Sequence, residues 1–108
     1  ALALGDIGLH FPDSDMKWKE ADSAIFLNWS MEQVKKRNLE LLNIDLTIIC
    51  EKPKISIFRE QMKQNLSKLC PLEYDKINVK ATTTERLGFT GREEGIASIC
   101  SILLHETN

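Results

Sequence analysis

The residues best suited to chemistry form one run, Lys80-Ala81-Thr82-Thr83-Thr84-Glu85, followed by Gly88-Phe89-Thr90-Gly91-Arg92. Three consecutive threonine hydroxyls offer donors at a spacing that can grip phosphate oxygens, although such a run also continues a strand edge on β propensity alone. Glu85 beside them can hold a divalent cation that neutralises the same phosphates. Glycines bracketing Phe89-Thr90 imply a tight backbone path near a ligand or an axis. Arg92 is an anion partner by type, able to bind phosphate through two parallel hydrogen bonds. Taken alone, the run points to a phosphate-binding site.

Two further clusters carry polar chemistry. Asp6-Ile7-Gly8 with Asp13-Ser14-Asp15 places three carboxylates within ten residues. They can bind a cation or the hydroxyls of a sugar, although by spacing alone solvated turn formers are the better explanation. Glu51-Lys52-Pro53-Lys54 follows a strand pattern, and open α/β sheets place ligands at the C-terminal ends of their strands. An ordinary polar connection reads the same way. Cys50, Cys70 and Cys100 have no CxxC spacing and cannot all pair within the chain, so they are expected as free thiols. His10 and His105 have no histidine three or four residues away, so neither begins a metal site by local spacing. Asn28-Trp29-Ser30 and Asn65-Leu66-Ser67 match the glycosylation sequon but fall in helical patterns, where they are chance matches.

These clusters need elements to position them. Gly5 to Asp15 is rich in turn formers and reads as a loop. Asp22 or Ser23 can cap a helix over 22–38, with Ile25, Phe26, Trp29 and Val34 at helical spacing and Lys35-Lys36-Arg37 suited to its C-terminus. Asn43 to Cys50 alternates as a strand, with Ile44, Leu46, Ile48 and Cys50 on one face, and Pro53 must follow its end. Phe58, Met62, Leu66 and Leu69 form the stripe of a second helix near 55–69, closed by Pro71. Ile77, Val79 and Ala81 alternate in another strand. Gly95 to His105 reads as a strand apolar or small on both faces, which needs cover on both sides. Two helices cover one face only, so the other is expected to meet another subunit.

Composition bounds what these elements can be. At 108 residues, 43% apolar and 28% charged, the chain suits one domain with a small core and is neither disordered nor a disulfide scaffold. The area scaling expects roughly 6,100 Å² of exposed surface for this mass. A formal charge of −2 supplies no global field for nucleic acid or an anionic membrane, and no run approaches the ~18 apolar residues of a membrane span. The chain begins Ala1-Leu2-Ala3-Leu4, without an initiator Met, as a fragment would.

In this order the clusters resemble the 2-C-methyl-D-erythritol 2,4-cyclodiphosphate synthases of the non-mevalonate isoprenoid pathway. The matching segments are Leu4 to Gly8 with Phe11-Pro12-Asp13-Ser14-Asp15, Lys19 to Ser23, Ile44 to Ile49, Pro53-Lys54, and Ile77 through Glu85 and Leu87 to Arg92 into Glu94 to Ala97. The resemblance implies an α/β (α+β) fold, a small mixed sheet with helices on one face and the other face packed in a homotrimer around a threefold axis. It implies cyclisation of 4-diphosphocytidyl-2-C-methyl-D-erythritol 2-phosphate with release of CMP, supported by zinc and a second divalent cation, magnesium or manganese. Glu85 matches the ligand of the second cation, and Thr83 the threonine that contacts the diphosphate and stabilises the transition state, flanked by Thr82 and Thr84. Asp6, Ile7 and Gly8 match the ribose-holding positions, while Phe11 to Asp15 line the methylerythritol side. Cys50, Glu51, Lys52, Pro53, Lys54, Ile55 and Ser56 match the loop whose backbone recognises cytosine. Phe89 belongs to the matching glycine turn, and Arg92 and Glu94 match residues near the axial cavity, where isoprenoid diphosphates can bind.

The family's zinc ligands, an Asp-x-His pair and a later His, precede the segment that opens this chain. On this reading residues 1–108 are the C-terminal two-thirds of a synthase domain, inactive alone for want of zinc ligands. Glu93 stands where the family usually has Gly, and adds a carboxylate beside Arg92. The competing reading, from another class, is a non-catalytic trimeric protein that binds cytidine nucleotides or isoprenoid diphosphates. The family works in bacterial cytoplasm and in plastids, including the apicoplast.

Overall fold

The computed structural model describes residues 1–14 and 22–107. In chain order the elements are α1 (Ile7–His10), α2 (Ser23–Lys36), β1 (Leu39–Ile49), α3 (Arg59–Leu69), β2 (Ile77–Thr82), α4 (Gly88–Gly91) and β3 (Ala97–Glu106). Short 3-10 turns at Ile55–Ile57 and Tyr74–Lys76 lead into α3 and β2. The three strands form one mixed sheet in the order β2-β1-β3, with β1 parallel to β2 and antiparallel to β3.

The register fixes which residues face the core. Ile44 pairs with Ile77 and Leu46 with Val79 on one side of β1, and Ile44 pairs with Ile102 and Leu46 with Cys100 on the other. These residues share a face, because directly opposed residues in a ladder point the same way. Helices α2 and α3 cover it, with Leu27, Met31, Met62 and Leu66 packed against Ile44, Ile48, Ile77 and Val79. Asp22 caps α2 as expected, its carboxylate accepting the Ala24 N–H at 2.9 Å.

The opposite face is polar at β1 and β2 and apolar at β3. Asp45 accepts hydrogen bonds from Asn78 and Lys80, each at 3.1 Å. The bond from Lys80 first, then that from Asn78, holds the Asp45 carboxyl below the usual aspartate range. On β3, Ile99 is 62% exposed and Leu103 55%. The total surface of 8014 Å² exceeds the roughly 6,100 Å² expected for this mass, and this open strand contributes to the excess.

The structure departs from the expected elements at several points: the second helix, expected near 55–69, begins at Arg59 after a 3-10 turn, the strand expected at Gly95 to His105 runs Ala97–Glu106, and three further differences have a local physical reason. The loop expected from Gly5 to Asp15 contains the helical turn α1, because Asp6 caps it: its Oδ1 accepts the Leu9 N–H at 3.0 Å. Helix α2 stops at Lys36 rather than residue 38, since Asn38 turns left-handed at φ +57°. Strand β1 starts at Leu39, four residues before the alternating pattern, with a register shift between Leu41 and Asn43. That bulge breaks the alternation in the first part of the strand and hides it from a period-two reading. Strand β1 also ends at Ile49, one residue before the expected Cys50. All three cysteines are free, Cys50 and Cys70 buried and Cys100 exposed, and Asn28 and Asn65 sit in α2 and α3 as their patterns indicate.

Candidate functional site

The parallel pair β1 and β2 ends on the same side of the sheet, and the chain leaving each strand builds one cleft there. Cys50 N–H donates to the Thr82 carbonyl at 3.1 Å, holding the exits together. The cleft encloses ≈ 340 Å³, bounded by Cys50, Glu51, Pro53, Lys54, Ile55 and Ser56 on one wall and Ala81, Thr82 and Thr83 on the other. This is the strand-end location that open α/β sheets give their ligands. Two of the three sequence clusters therefore meet.

The threonines divide into distinct roles. Thr82 Oγ1 donates to the Thr83 carbonyl at 3.1 Å. Thr84 Oγ1 lies 2.6 Å from the Leu87 carbonyl, to which it donates, and 2.9 Å from the hydroxyl of buried Thr90. Thr83 Oγ1 only accepts, from the Glu85 N–H at 3.2 Å. A hydroxyl has one proton to give, so Thr83 alone of the three has it unspent on these bonds. Strand β2 ends at Thr82, so the run does not continue a strand edge as far as Thr84.

Beyond Thr84 the chain makes a tight turn. Glu85 and Arg86 lie in the left-handed region at φ +52° and +66°. The Leu87 N–H donates to the Thr84 carbonyl at 3.0 Å, and α4 follows. Gly91 packs against the Arg86 backbone so closely that a Cβ there would lie 2.2 Å from the Arg86 carbonyl carbon. A β-carbon at Gly95 would meet the Phe89 ring at 3.3 Å. The glycine-bracketed run thus makes a backbone self-contact, with Phe89 52% exposed beside it.

Arg92 is already matched to a carboxylate: its Nε donates to Glu94 Oε1 at 2.7 Å and its Nη2 to Oε2 at 3.3 Å. Glu93 does not lie on Arg92 as expected. It turns to Lys52 at 3.8 Å and adopts φ +61°. A left-handed backbone is one that glycine adopts more readily than glutamate.

The first acidic cluster stands apart from the cleft, whose lining includes nothing from residues 6–14. Asp6 spends one oxygen on capping α1. Phe11 stacks edge-on against Phe26 and Trp29, at 4.9 Å and 5.3 Å between ring centres. His10 Nε2 lies 2.7 Å from the Leu4 carbonyl, and its ring is 4.5 Å from that of Trp29. Pro12, Asp13 and Ser14 are exposed, and Asp15 and Lys19 to Ala21 lie outside the described residues. Sequence reasoning missed Arg59, which lines the cleft from the first turn of α3 and donates through Nε to the Val79 carbonyl at 3.0 Å. It falls off the apolar stripe of α3, and nothing in its sequence neighbourhood marks it.

For cations the residues give a split answer. Glu85 is one exposed carboxylate two residues beyond Thr83, which lines the cleft, and a single carboxylate suits a magnesium-type ion that keeps waters and shares its shell with substrate phosphates. Zinc takes three protein ligands in a catalytic site and four in a structural one, from nitrogen, sulfur and carboxylate donors. Among the described residues no group of three or more His, Cys, Asp or Glu is placed to supply them, so they do not fit zinc.

Comparison with known proteins shows the family. The model of the YgbB family matches residues 1–105. A protein of Geobacillus sp. (strain WCH70) named 2-C-methyl-D-erythritol 2,4-cyclodiphosphate synthase is 54% identical over 106 residues, covering 98% of this chain and 67% of its own length. Among solved structures, the bifunctional IspDF of Campylobacter jejuni superposes with a TM-score of 0.90 at 44% identity, over 96% of this chain and 28% of that one. The CDP complex of IspF from Plasmodium falciparum gives 0.84 at 35% identity, over 96% and 62%. The chain thus spans about two-thirds of the length of the curated relatives it matches and less of these solved structures. With a family model matched over nearly every residue and high identity to named relatives, the chain belongs to the YgbB family.

Proposed function

We propose that this protein catalyses the cyclisation of 4-diphosphocytidyl-2-C-methyl-D-erythritol 2-phosphate to the 2,4-cyclodiphosphate with release of CMP. An oxygen of the 2-phosphate forms a bond to the β-phosphorus. The bond from that phosphorus to the bridging oxygen breaks, and CMP leaves with the electron pair. Because the nucleophile belongs to the substrate, the protein's task is positioning and charge neutralisation. The observation that carries this reading is the single cleft joining the 50–56 loop to Thr83, whose hydroxyl proton is the one left to give.

In this assignment the backbone of residues 50–56 seats the cytosine, and Thr83 donates to an oxygen of the diphosphate as charge builds on it. Lys54 and Arg59 make the surroundings electropositive. Glu85 is the residue that would hold a magnesium or manganese ion, which when bound supplies positive charge to the phosphates. Asp6, Ile7 and Gly8 with Phe11 to Asp15 would serve the sugar side. Since the described ones among them, residues 6–8 and 11–14, do not line this cleft, they do so from a neighbouring subunit. The exposed apolar residues of β3 support the corresponding homotrimer. Sedimentation should show a trimer at micromolar concentration, and a stable monomer would overturn that assembly.

Arg92 is matched by Glu94 in this chain, so an isoprenoid diphosphate at the axis would have to displace a carboxylate. The 54% identity to the Geobacillus protein, against 35% to the Plasmodium one, supports bacterial cytoplasm over a plastid. The cleft assignment is tested by titrating CDP while recording backbone amide resonances. Shifts should concentrate in residues 50–56 and 82–86. Shifts confined to residues outside these two segments, or none at all, would refute it.

A further inference from the structure

We propose that Glu51 is a positioning residue, which clamps the nucleotide loop to the turn carrying Glu85 and so sets the direction of that carboxylate. The inference rests on the function proposed above. It starts from two adjacent non-glycine residues, Glu85 and Arg86, both left-handed at φ +52° and +66°. Side chains disfavour that backbone, and it persists only where surrounding contacts over-determine it. One such contact comes from 35 residues away: Glu51 Oε1 accepts the Arg86 N–H at 2.8 Å. A carboxylate accepting an amide proton makes a charge-assisted bond, stronger than a neutral one.

Glu51 is half-buried, and this oxygen is committed to the backbone of the facing turn. Its neighbours reach the same segment. Cys50 N–H holds the Thr82 carbonyl at 3.1 Å, and Lys52 pairs with Glu93 at 3.8 Å. Three successive residues thus grip three successive points, of which the exposed Lys52 pair contributes least. The Glu51 contact falls one residue after Glu85, where a change in Arg86 geometry rotates the peptide bearing the cation-binding side chain. In this role Glu51 acts on the cation through the Glu85–Arg86 backbone and not as a ligand.

The test pairs Glu51→Ala, which removes the acceptor, with Glu51→Gln, which keeps one. Hydrogen exchange at the Arg86 amide, referenced to amides of β1 in the same sample, should accelerate about tenfold or more in Glu51→Ala and much less in Glu51→Gln. In a protein that also carries the family's Asp-x-His segment, the manganese concentration for half-maximal turnover should rise about tenfold in Glu51→Ala, within the usual range of site coupling. Glu51→Gln should restore most of that loss. Unchanged Arg86 exchange in Glu51→Ala would overturn the clamp whether or not the protein is a synthase. Faster exchange with an unchanged manganese requirement would overturn its role in positioning Glu85. Absence of turnover in the unsubstituted protein would instead count against the proposed function, while the exchange measurement still decides the clamp.

Discussion

Gly91→Ala is expected to destabilise the folded protein by about 3 kcal/mol, at the upper end of ordinary overpacking penalties. The new β-carbon would sit 2.2 Å from the carbonyl carbon of Arg86 and 2.8 Å from its oxygen. The neighbour is backbone, fixed on one side by Glu51 and on the other by the Leu87 N–H to Thr84 carbonyl bond, so it cannot swing aside as a long side chain would. For a domain of this size the melting temperature should fall by roughly 10–20 °C. Gly88→Ala is the informative comparison. Nothing lies within 4 Å of its would-be β-carbon, and only its φ of +72° resists substitution. That torsional cost is about 1 kcal/mol, so thermal unfolding followed by circular dichroism should rank the two variants clearly. Equal melting temperatures would mean that residues 84–94 do not pack as described.

Glu85→Ala is expected to lower kcat by roughly 10²–10³, the scale on which removing one preorganised charge-stabilising group acts. The assay uses a protein that carries the Asp-x-His segment together with this chain. Glu85 is exposed and its side chain makes none of the hydrogen bonds found in the turn, so its truncation should leave the melting temperature close to that of the unsubstituted protein. CDP should still bind, because the cytidine end is assigned to the backbone of residues 50–56. The contrast with Gly91→Ala separates chemistry from architecture: one variant loses turnover with the fold intact, the other loses the fold of the turn. Unchanged kcat in Glu85→Ala would count against the assignment of the cation to this residue.

Much of the fold was legible because hydrophobic spacing and caps are local signals. The alternation from Ile44 to Cys50 and the stripe Phe58, Met62, Leu66, Leu69 each marked the element the structure shows. Where local signals conflicted, sequence reading failed. Leu39 to Leu42 contains good helix formers directly after a helix, and a bulge interrupts its alternation, so its pairing with β3 is visible only in the sheet. Asp6 read as a cation or sugar ligand or a solvated turn former; aspartate is a favoured N-cap type, but the four-residue turn it caps is too short to show a helical period.

The site was legible as a set of segments and not as a division of labour. That the 50–56 loop and the threonines share one cleft follows from a parallel β1–β2 pair, which the strand patterns allowed without dictating. Which threonine keeps its proton depends on the Leu87 carbonyl, three residues beyond Thr84, which takes the Thr84 proton, and on a turn through two left-handed residues. Neither Glu85, Arg86 nor Glu93 is a residue type that predicts positive φ. Glu93 read as a neighbour of Arg92 by adjacency, whereas the left-handed backbone sends it to Lys52 and leaves Glu94 to pair with the guanidinium.

The central claim is that the protein breaks and makes phosphate bonds rather than merely holding a cytidine nucleotide. Phosphorus NMR of the 4-diphosphocytidyl-2-C-methyl-D-erythritol 2-phosphate reaction, run with magnesium on a protein carrying the Asp-x-His segment, tests this directly. The substrate signals should give way to CMP and the 2,4-cyclodiphosphate in equal amounts. Saturable CMP binding with the substrate signals unchanged would contradict it and leave a cytidine-binding protein without cyclase activity.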